Sequence, residues 1–168
     1  MKIVVAFEKK LSSNKIDKIK QKFIKKWTNS NYFHVEIIID NYWYSADTSS
    51  GFIKRELSPL KDSYDYVTVM PNTCLENEEI AKTFLNAQIG KKYDWIAIYL
   101  TQLFNIGIES KDKWFCSEIV AKIMQILQIK EFVYNKPSLM TPEDVYVCLN
   151  KSGLSVAGKN MATSTLFK

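Results

Sequence analysis

A β-hairpin is the feature that most constrains how this 168-residue chain folds. Two β-prone runs, YFHVEIII (residues 32–39) and YWYSAD (residues 42–47), flank Asp40 and Asn41, which favour a tight connection. Three further runs predict additional strands of an antiparallel sheet: residues 2–7, 51–55 and 66–69. The first 70 residues therefore predict a sheet with one helical interruption.

Helical patterns dominate the rest of the chain, after one early helix predicted over Lys15–Trp27 with Asn14 as its cap. A Thr73/Glu76 capping box begins a second predicted helix, which runs to about Ile89 with Gly90 as its stop. A third helix is predicted from Asp94 to Phe104, and residues 116–127 have a helical period. The last predicted helix begins at Thr141-Pro142-Glu143-Asp144. Strands followed by helices predict an α+β fold, an antiparallel β-sheet packed against helices. We expect one domain over residues 1–152 and a flexible C-terminal tail over residues 153–168.

The composition, with 46% hydrophobic and 24% charged residues, is typical of a globular domain. No apolar run approaches the roughly 18 residues of a membrane-spanning helix, and the apolar stretch at residues 3–7 is too short for a signal peptide, so a cytoplasmic location is predicted. Three cysteines without paired spacing predict free thiols rather than a disulfide framework or a zinc site. We expect neither a cofactor nor a metal.

The positive charge is concentrated at the N-terminus. Residues 1–30 carry nine lysines against Glu8 and Asp17, whereas the remainder has a small negative balance. Arg55 is the only arginine, which argues against nucleic-acid binding. The lysines of Lys15–Trp27 are interpreted as the solvated face of a helix, or as a surface that binds an anionic membrane or an acidic protein partner.

The candidate chemistry involves one histidine and one of the cysteines. His34, the only histidine, shares a strand face with Tyr32 and Glu36 because side chains alternate along a strand. Cys116 is at a helix N-terminus, where the macrodipole and unpaired backbone N–H groups favour a thiolate and could bind an oxyanion. If the imidazole reaches this thiol, the pair forms a nucleophile with its general base. Cys74 also follows a predicted helix cap, so position alone does not choose between these two cysteines.

Three motifs resemble those of NlpC-type papain-like thiol hydrolases: WFCSEIV (114–120) resembles the nucleophile motif, IGKKYDW (89–95) the segment that precedes it, and HVEIII (34–39) the histidine strand. Here the histidine comes 82 residues before the cysteine, whereas in the ordinary family it comes after it. This order is similar to that of the circularly permuted branch, which includes YiiX-like bacterial proteins, poxvirus and phage members, and lecithin:retinol acyltransferase relatives. The resemblance covers roughly residues 30–150 and implies a circularly permuted papain-like fold.

The resemblance implies Cys116 as the nucleophile and His34 as its base, in a hydrolase or acyltransferase that acts on an amide, ester or thioester bond. The substrate would be a lipid, a lipidated protein, a peptide or another small molecule. The residues implied for the oxyanion and substrate-binding site are Tyr93, Ser117 and Asp47. In the family a polar residue about twelve positions after the histidine orients the imidazole, but here that position is Ala46. We therefore expect this role to pass to Glu36, which we prefer, or to Ser45 or Asp47.

Two further expectations follow from the same residues. Aromatic residues close to the motifs predict an apolar cleft or else fill the core: Tyr32, Trp43, Tyr44, Tyr93, Trp95, Trp114 and Phe115. Ala46 and the segregated lysines motivate an alternative function, a catalytically inactive binding module that docks to a membrane, virion or partner through Lys15–Trp27. The sequence does not indicate the oligomeric state.

Overall fold

The computed structural model describes residues 1–11, 13, 15–27, 29–47, 50–93, 113–114, 116–153 and 155–158. The strands are β1 (Ile3–Glu8), β2 (His34–Ile39), β3 (Tyr42–Asp47), β4 (Gly51–Glu56), β5 (Tyr64–Val69), β6 (Lys92–Tyr93), β7 (Lys113–Trp114) and β8 (Ser155–Gly158). The helices are α1 (Lys15–Trp27), α2 (Leu75–Gln88), α3 (Cys116–Ile126), α4 (Lys130–Val133) and α5 (Pro142–Lys151), with a 3-10 turn over Pro137–Leu139. The fold is α+β, as predicted.

The predicted hairpin organises the sheet. Asp40 and Asn41 both have positive φ values, 49° and 65°, which a two-residue hairpin turn of the primed type requires, and Ile39 pairs with Tyr42 across it. Within the described residues, six strands form one antiparallel sheet in the order β4-β3-β2-β1-β5-β8. The hairpin prediction is therefore confirmed, and β1 occupies the centre between β2 and β5.

The two faces of the sheet pack against different hydrophobic clusters. Val35, Ile37 and Ile39 of β2 belong to the larger core cluster, which they share with α3. Ile38 points the other way, into a smaller cluster that includes Trp43. Because side chains alternate, Glu36 has the same parity as Ile38 and belongs to the face away from the larger core, whereas His34 is the first residue of the strand and lies at the edge of both faces.

Helix α3 is the central helix of the larger core. Its fully buried residues Ile119, Val120, Ile123 and Met124 recur at helical spacing, and the helix packs against β2, β3, α2 and α5. This packing directs the N-terminus of α3, and with it Cys116, toward the end of the sheet where β2 begins.

The helix starts show which local predictions hold. Helix α5 begins as predicted: Thr141 is the N-cap, Pro142 is the first helical residue, and Asp144 completes a capping box. Helix α2 does not use the predicted Thr73/Glu76 box; its N-cap is Cys74, which makes no side-chain capping bond. The Thr73 hydroxyl instead accepts a hydrogen bond from the Asn77 side chain, so this prediction was wrong by one residue of register.

Part of the segment predicted as a C-terminal tail is a strand. Residues Ser155–Gly158 form β8 and pair with β5 at the edge of the sheet. Their short, glycine-containing sequence has no alternating pattern, so only the exposed edge of β5 reveals the partner. The predicted helix from Asp94 to Phe104 and the Asn14 cap lie outside the described residues. Within the described ranges, no helix combines the length and apolar character that crossing a bilayer requires.

A close backbone contact joins the segment after α2 to β4. The Phe52 N–H donates to the Lys91 carbonyl at 2.7 Å, and the Gly90 N–H donates to the Phe52 carbonyl at 2.8 Å. Gly51 permits this approach, because it has φ +76° and a Cβ there would overlap the Lys91 carbonyl oxygen. The contact holds the segment leading into β6 against the sheet.

Candidate active site

The fold brings the three motif segments of the sequence together. Strand β6 pairs in parallel with β7, so that Tyr93 is the partner of Trp114, two residues before Cys116. The β4 contact described above fixes the start of this segment, and α3 packs its first turns against β2. The tyrosine motif, the cysteine motif and the histidine strand are therefore neighbours in space.

His34 and Cys116 interact directly. The Cys116 side chain, 6% exposed, forms a hydrogen bond and a charge interaction with the His34 imidazole. The His34 side chain is 17% exposed, so the pair lies just beneath the surface. A thiol and an imidazole from distant parts of the chain thus form the arrangement that an activated nucleophile requires.

The opposite side of the imidazole is held by Glu36 and Ser45. His34 Nε2 lies 3.3 Å from Glu36 Oε1 and 3.1 Å from Ser45 Oγ, and Ser45 also hydrogen bonds to Glu36. Because Nε2 contacts these two groups, Nδ1 is the ring nitrogen that remains for Cys116. Two of the three residues considered for orienting His34 therefore contact it.

The end of the β2–β3 hairpin is open at this site. The β2–β3 register runs from Ile39–Tyr42 to Ile37–Tyr44, and both described strands continue beyond it without a further ladder pair. The parts of β2 and β3 beyond this register carry His34 and Glu36 on one strand and Ser45 on the other, and they still pair with β1 and β4. At this end of the hairpin the imidazole contacts Glu36, Ser45 and Cys116.

Arg55 is a site residue that the sequence analysis did not predict. Its Nη2 donates to Glu36 Oε2 at 2.8 Å, and its guanidinium lies 5.2 Å from the centre of the Trp43 ring. Trp43 and Arg55 are directly opposite each other on β3 and β4. The available signal was the place of Arg55 in the predicted strand over residues 51–55, which becomes informative only when the β3–β4 register is known.

Glu8 and Tyr64 extend the polar surroundings of His34. Glu8 is opposite His34 on β1 and opposite Tyr64 on β5, and it hydrogen bonds to the Tyr64 hydroxyl. Tyr64 also packs edge-on against Trp43, with ring centres 5.9 Å apart. A charged group is therefore placed over an aromatic cluster on the face of the sheet away from the larger core.

The pKa shifts follow from these contacts. Burial alone would lower the pKa of His34, but the charge and hydrogen bond of Cys116, followed by those of Glu36, raise it well above 6.5. Burial would raise the pKa of Glu36, yet His34, Arg55 and Ser45 together hold it below its ordinary value. Burial raises the pKa of Glu8. The site thus favours an imidazolium between a thiolate and a carboxylate.

The remaining predicted site residues are placed less directly. The Ser117 side chain is buried and its hydroxyl donates to the Met140 carbonyl at 2.6 Å, so only its backbone is available to a substrate. Asp47 is the last residue of β3 and Tyr93 the last of β6, and the structure describes their backbone but not their side chains. Ala46 is buried in the larger core, and its side chain has no polar group with which to orient His34. The substrate-binding roles of Ser117, Asp47 and Tyr93 stay predictions.

Of the aromatic residues predicted to lie near the site, the three whose side chains are described fill the interior rather than line an open cleft. Tyr32, Trp43 and Tyr44 are each at most 5% exposed, and the hydroxyls of the two tyrosines contact Asp65 and Asn86 respectively. Trp95 and Phe115 lie outside the described residues, and the side chains of Tyr93 and Trp114 are not described. The expected aromatic cleft thus has no support from the aromatic side chains that are described.

Of the other thiols, Cys74 is exposed and Cys148 is half-buried. Among the described residues, no group of three or more His, Cys, Asp or Glu side chains is arranged to hold a metal ion. The chain matches no protein-family model, no curated protein and no solved structure.

Proposed function

We propose that this protein is a cysteine-dependent hydrolase or acyltransferase with a circularly permuted papain-like fold. The observation that supports the proposal is the His34 imidazole, which contacts Cys116 on one side and Glu36 and Ser45 on the other. The expected substrate has an amide, ester or thioester carbonyl in a lipid, a lipidated protein, a peptide or another small molecule.

The reaction follows from the positions of these groups. His34 Nδ1 takes the thiol proton, and the Cys116 sulfur attacks the substrate carbonyl to give a tetrahedral intermediate. The backbone N–H groups of the first turn of α3 are the expected donors to the oxyanion, because they lie at the positive end of the helix dipole. The His34 imidazolium then protonates the leaving amine, alcohol or thiol. Water or an acceptor hydroxyl, thiol or amine, deprotonated by His34, releases the acyl group.

Glu36 and Ser45 orient the imidazole of His34. An ionised Glu36 accepts the hydrogen bond of Nε2–H and stabilises the imidazolium that forms during the reaction. The same bond keeps the proton of the neutral ring on Nε2 and leaves Nδ1 free to accept a proton from Cys116. Glu36 and Ser45 thus supply the orientation that Ala46 cannot provide.

Trapping of the acyl-enzyme tests this proposal. The protein is incubated with p-nitrophenyl esters and acyl thioesters of short and long chains, quenched in acid, digested and analysed by mass spectrometry. We expect the acyl mass on Cys116 in the wild type and in Cys74→Ser, and its loss from Cys116 in His34→Ala. Equal acylation of Cys74 and Cys116, or no acyl mass on Cys116 with any substrate, would contradict the proposal.

We also propose that one face of α1 binds an anionic lipid bilayer. The described exposed residues of this helix are Lys15, Lys18, Ile19, Lys22 and Lys26. At 100° per residue they share one face, and Ile19, 69% exposed, stands among the four lysines. Lysines attract anionic headgroups while an exposed apolar side chain enters the boundary between headgroups and acyl chains, which is the pattern of an interfacial helix. This surface would bring a lipid substrate close to the protein.

Vesicle co-sedimentation tests the α1 surface with a charge-matched control. A triple Lys18→Glu/Lys22→Glu/Lys26→Glu variant is compared with Lys61→Glu/Lys130→Glu/Lys151→Glu, which changes the net charge equally at exposed lysines elsewhere. Because each lysine near an anionic surface contributes about 1 kcal/mol, the α1 variant should lose at least about tenfold in binding to phosphatidylserine vesicles. Ile19→Ser should weaken binding more mildly. Equal losses in both triple variants, or binding to neutral vesicles alone, would contradict the proposal.

A further inference from the structure

Arg55 joins the buried end of the site to the protein surface. Its side chain is 41% exposed, whereas the Glu36 side chain that it contacts is only 4% exposed. The guanidinium lies over the Trp43 ring, so its orientation is fixed by the aromatic face as well as by the carboxylate. Arg55 is also the only arginine in the chain.

The two oxygens of Glu36 have different partners. Oε1 is the oxygen at His34 Nε2, and Oε2 accepts from Arg55 at 2.8 Å. A carboxylate removed from water stays ionised only where charges and hydrogen bonds replace its hydration. The bond to Arg55 is therefore positioned to keep Glu36 charged without occupying the oxygen that serves His34.

The charge state of Glu36 determines how the two nitrogens of the His34 imidazole are protonated. An ionised Glu36 accepts from Nε2–H, which leaves Nδ1 as the base for Cys116. A protonated Glu36 no longer offsets the charge of the imidazolium, and it could donate to Nε2 only if the ring gave up its proton there, which would remove the cation that pairs with the Cys116 thiolate.

The other groups around Glu36 do not replace Arg55. The titratable and charged groups that face it are His34 on its own strand, Glu8 on β1, Arg55 on β4, and Tyr64 and Tyr66 on β5. Glu8 is itself acidic, and the tyrosines are neutral at physiological pH. Among these described groups, Arg55 alone has a permanent positive charge.

We propose that Arg55 is a positioning residue that acts through Glu36 to keep His34 in the form that activates Cys116, and that it sets the acid limit of Cys116 reactivity. The inference rests on the proposed function, because it requires the Cys116–His34 pair. It adds a residue of β4 to the site and assigns that residue no contact with the substrate.

The test is the pH dependence of Cys116 alkylation by iodoacetamide, measured by mass spectrometry from pH 4 to 9. The variants are Arg55→Met, Arg55→Lys and the control Lys54→Met. Lys54 is the preceding residue of β4 and lies over the Tyr42 ring, 4.1 Å from its centre, on the opposite face of the sheet. Lys54→Met thus removes the same charge from the same strand without touching Glu36.

We expect Arg55→Met to move the acid limb of the profile upward by about one pH unit, which corresponds to roughly a tenfold lower alkylation rate on that limb. Arg55→Lys should restore part of the shift, and Lys54→Met should leave the profile unchanged. In a Glu36→Gln background, Arg55→Met should add no further shift, because the two residues act in series. Circular dichroism of each variant confirms that it is folded.

The outcomes separate this inference from the proposed function. If Cys116 of the wild type reacts no faster than Cys74 near neutral pH, the Cys116–His34 pair is not functional and both proposals fail. If His34→Ala abolishes the advantage of Cys116 but Arg55→Met leaves the profile in place, only the role of Arg55 is overturned. An equal shift in Lys54→Met, or an additive shift in the Glu36→Gln background, would also overturn it. If Arg55→Met does not fold, the profiles of Arg55→Lys and Glu36→Gln decide.

Discussion

Two cysteines of this chain stand at helix N-termini, and within the described residues only Cys116 has a base beside it. Cys116 is the first residue of α3, is buried, and interacts with His34. Cys74 is the N-cap of α2, is exposed, and makes no side-chain capping bond. The helix dipole is common to both positions. The difference between them comes from the sheet.

The sheet supplies the base and the residues that hold it in place. The N-terminus of α3 reaches the open end of the β2–β3 hairpin, where His34 is held by Glu36 and Ser45. A helix N-terminus alone is therefore a weak indication of a reactive thiol in this fold. The imidazole, with the carboxylate behind it, is the feature that distinguishes Cys116.

Removal of the imidazole should produce the largest effect on this comparison. Near pH 6.5, a thiol with the ordinary pKa of about 8.5 is only about 1% thiolate, whereas the pair should keep Cys116 largely ionised. The pKa of His34 is raised, so its imidazolium persists above pH 6.5 and the pair is lost only as pH rises through that higher value. His34→Ala should therefore slow Cys116 alkylation at pH 6.5 at least about tenfold, measured by mass spectrometry.

Cys74 is the internal control for this variant, since no described contact links it to His34. Its alkylation rate should be the same in the wild type and in His34→Ala at every pH. A parallel change in Cys74 would indicate general opening of the fold instead of loss of one base.

Disruption of the backbone contact beside β6 should have the next largest effect, on folding and on the Cys116 site together. Gly51→Ala introduces a Cβ that overlaps the Lys91 carbonyl at φ +76°, whereas Gly90→Ala has φ +85° and open space around the new atom. Positive φ alone costs about 1–2 kcal/mol in the free energy of unfolding. Urea unfolding should show Gly90→Ala destabilised by about that amount and Gly51→Ala by clearly more.

Alkylation of the folded variants then sharpens the comparison. Gly51→Ala should also slow Cys116, because the 89–93 segment is held against β4 and pairs with the strand that leads to Cys116. Equal destabilisation by the two substitutions would show that the close approach at Gly51 contributes nothing to the free energy of unfolding.

The smallest expected effect concerns the cap of α2. Cys74 has the extended backbone of an N-cap, with φ −77° and ψ 157°, but no side-chain hydrogen bond to the helix. Cys74→Ser should supply that bond and raise the free energy of unfolding by roughly 0.5–1 kcal/mol in urea titration, whereas Cys74→Ala should not. Neither variant should alter acylation of Cys116. A loss of acylation in both would show that Cys74 belongs to the site.

The sequence predicted those parts of the fold that local chemistry decides. The hairpin turn at Asp40 and Asn41, the bounds of α1 and the Thr141 cap at the start of α5 depend on residues within a few positions of one another. Strand alternation also predicted that Glu36 shares a face with His34, which the 3.3 Å contact agrees with. The start of α2 was missed because Thr73 and Cys74 offer competing caps one residue apart.

Tertiary structure decided the rest of the site. Arg55 and Ser45 reach Glu36 and His34 only through the registers of β2, β3 and β4, and a shift of one residue would turn these side chains to the other face. Strand β8 depended on an edge of β5 that no local pattern reveals.

The sequence shows a thiol and an imidazole, and it predicts the helix and the strand that carry them because the local periodicity of those segments is strong. That His34 meets Cys116, 82 residues later, follows from the packing of α3 against β2 and from the open end of the hairpin. Short-range patterns specify turns, caps and strand faces, whereas contacts between distant segments arise only when the whole core is assembled.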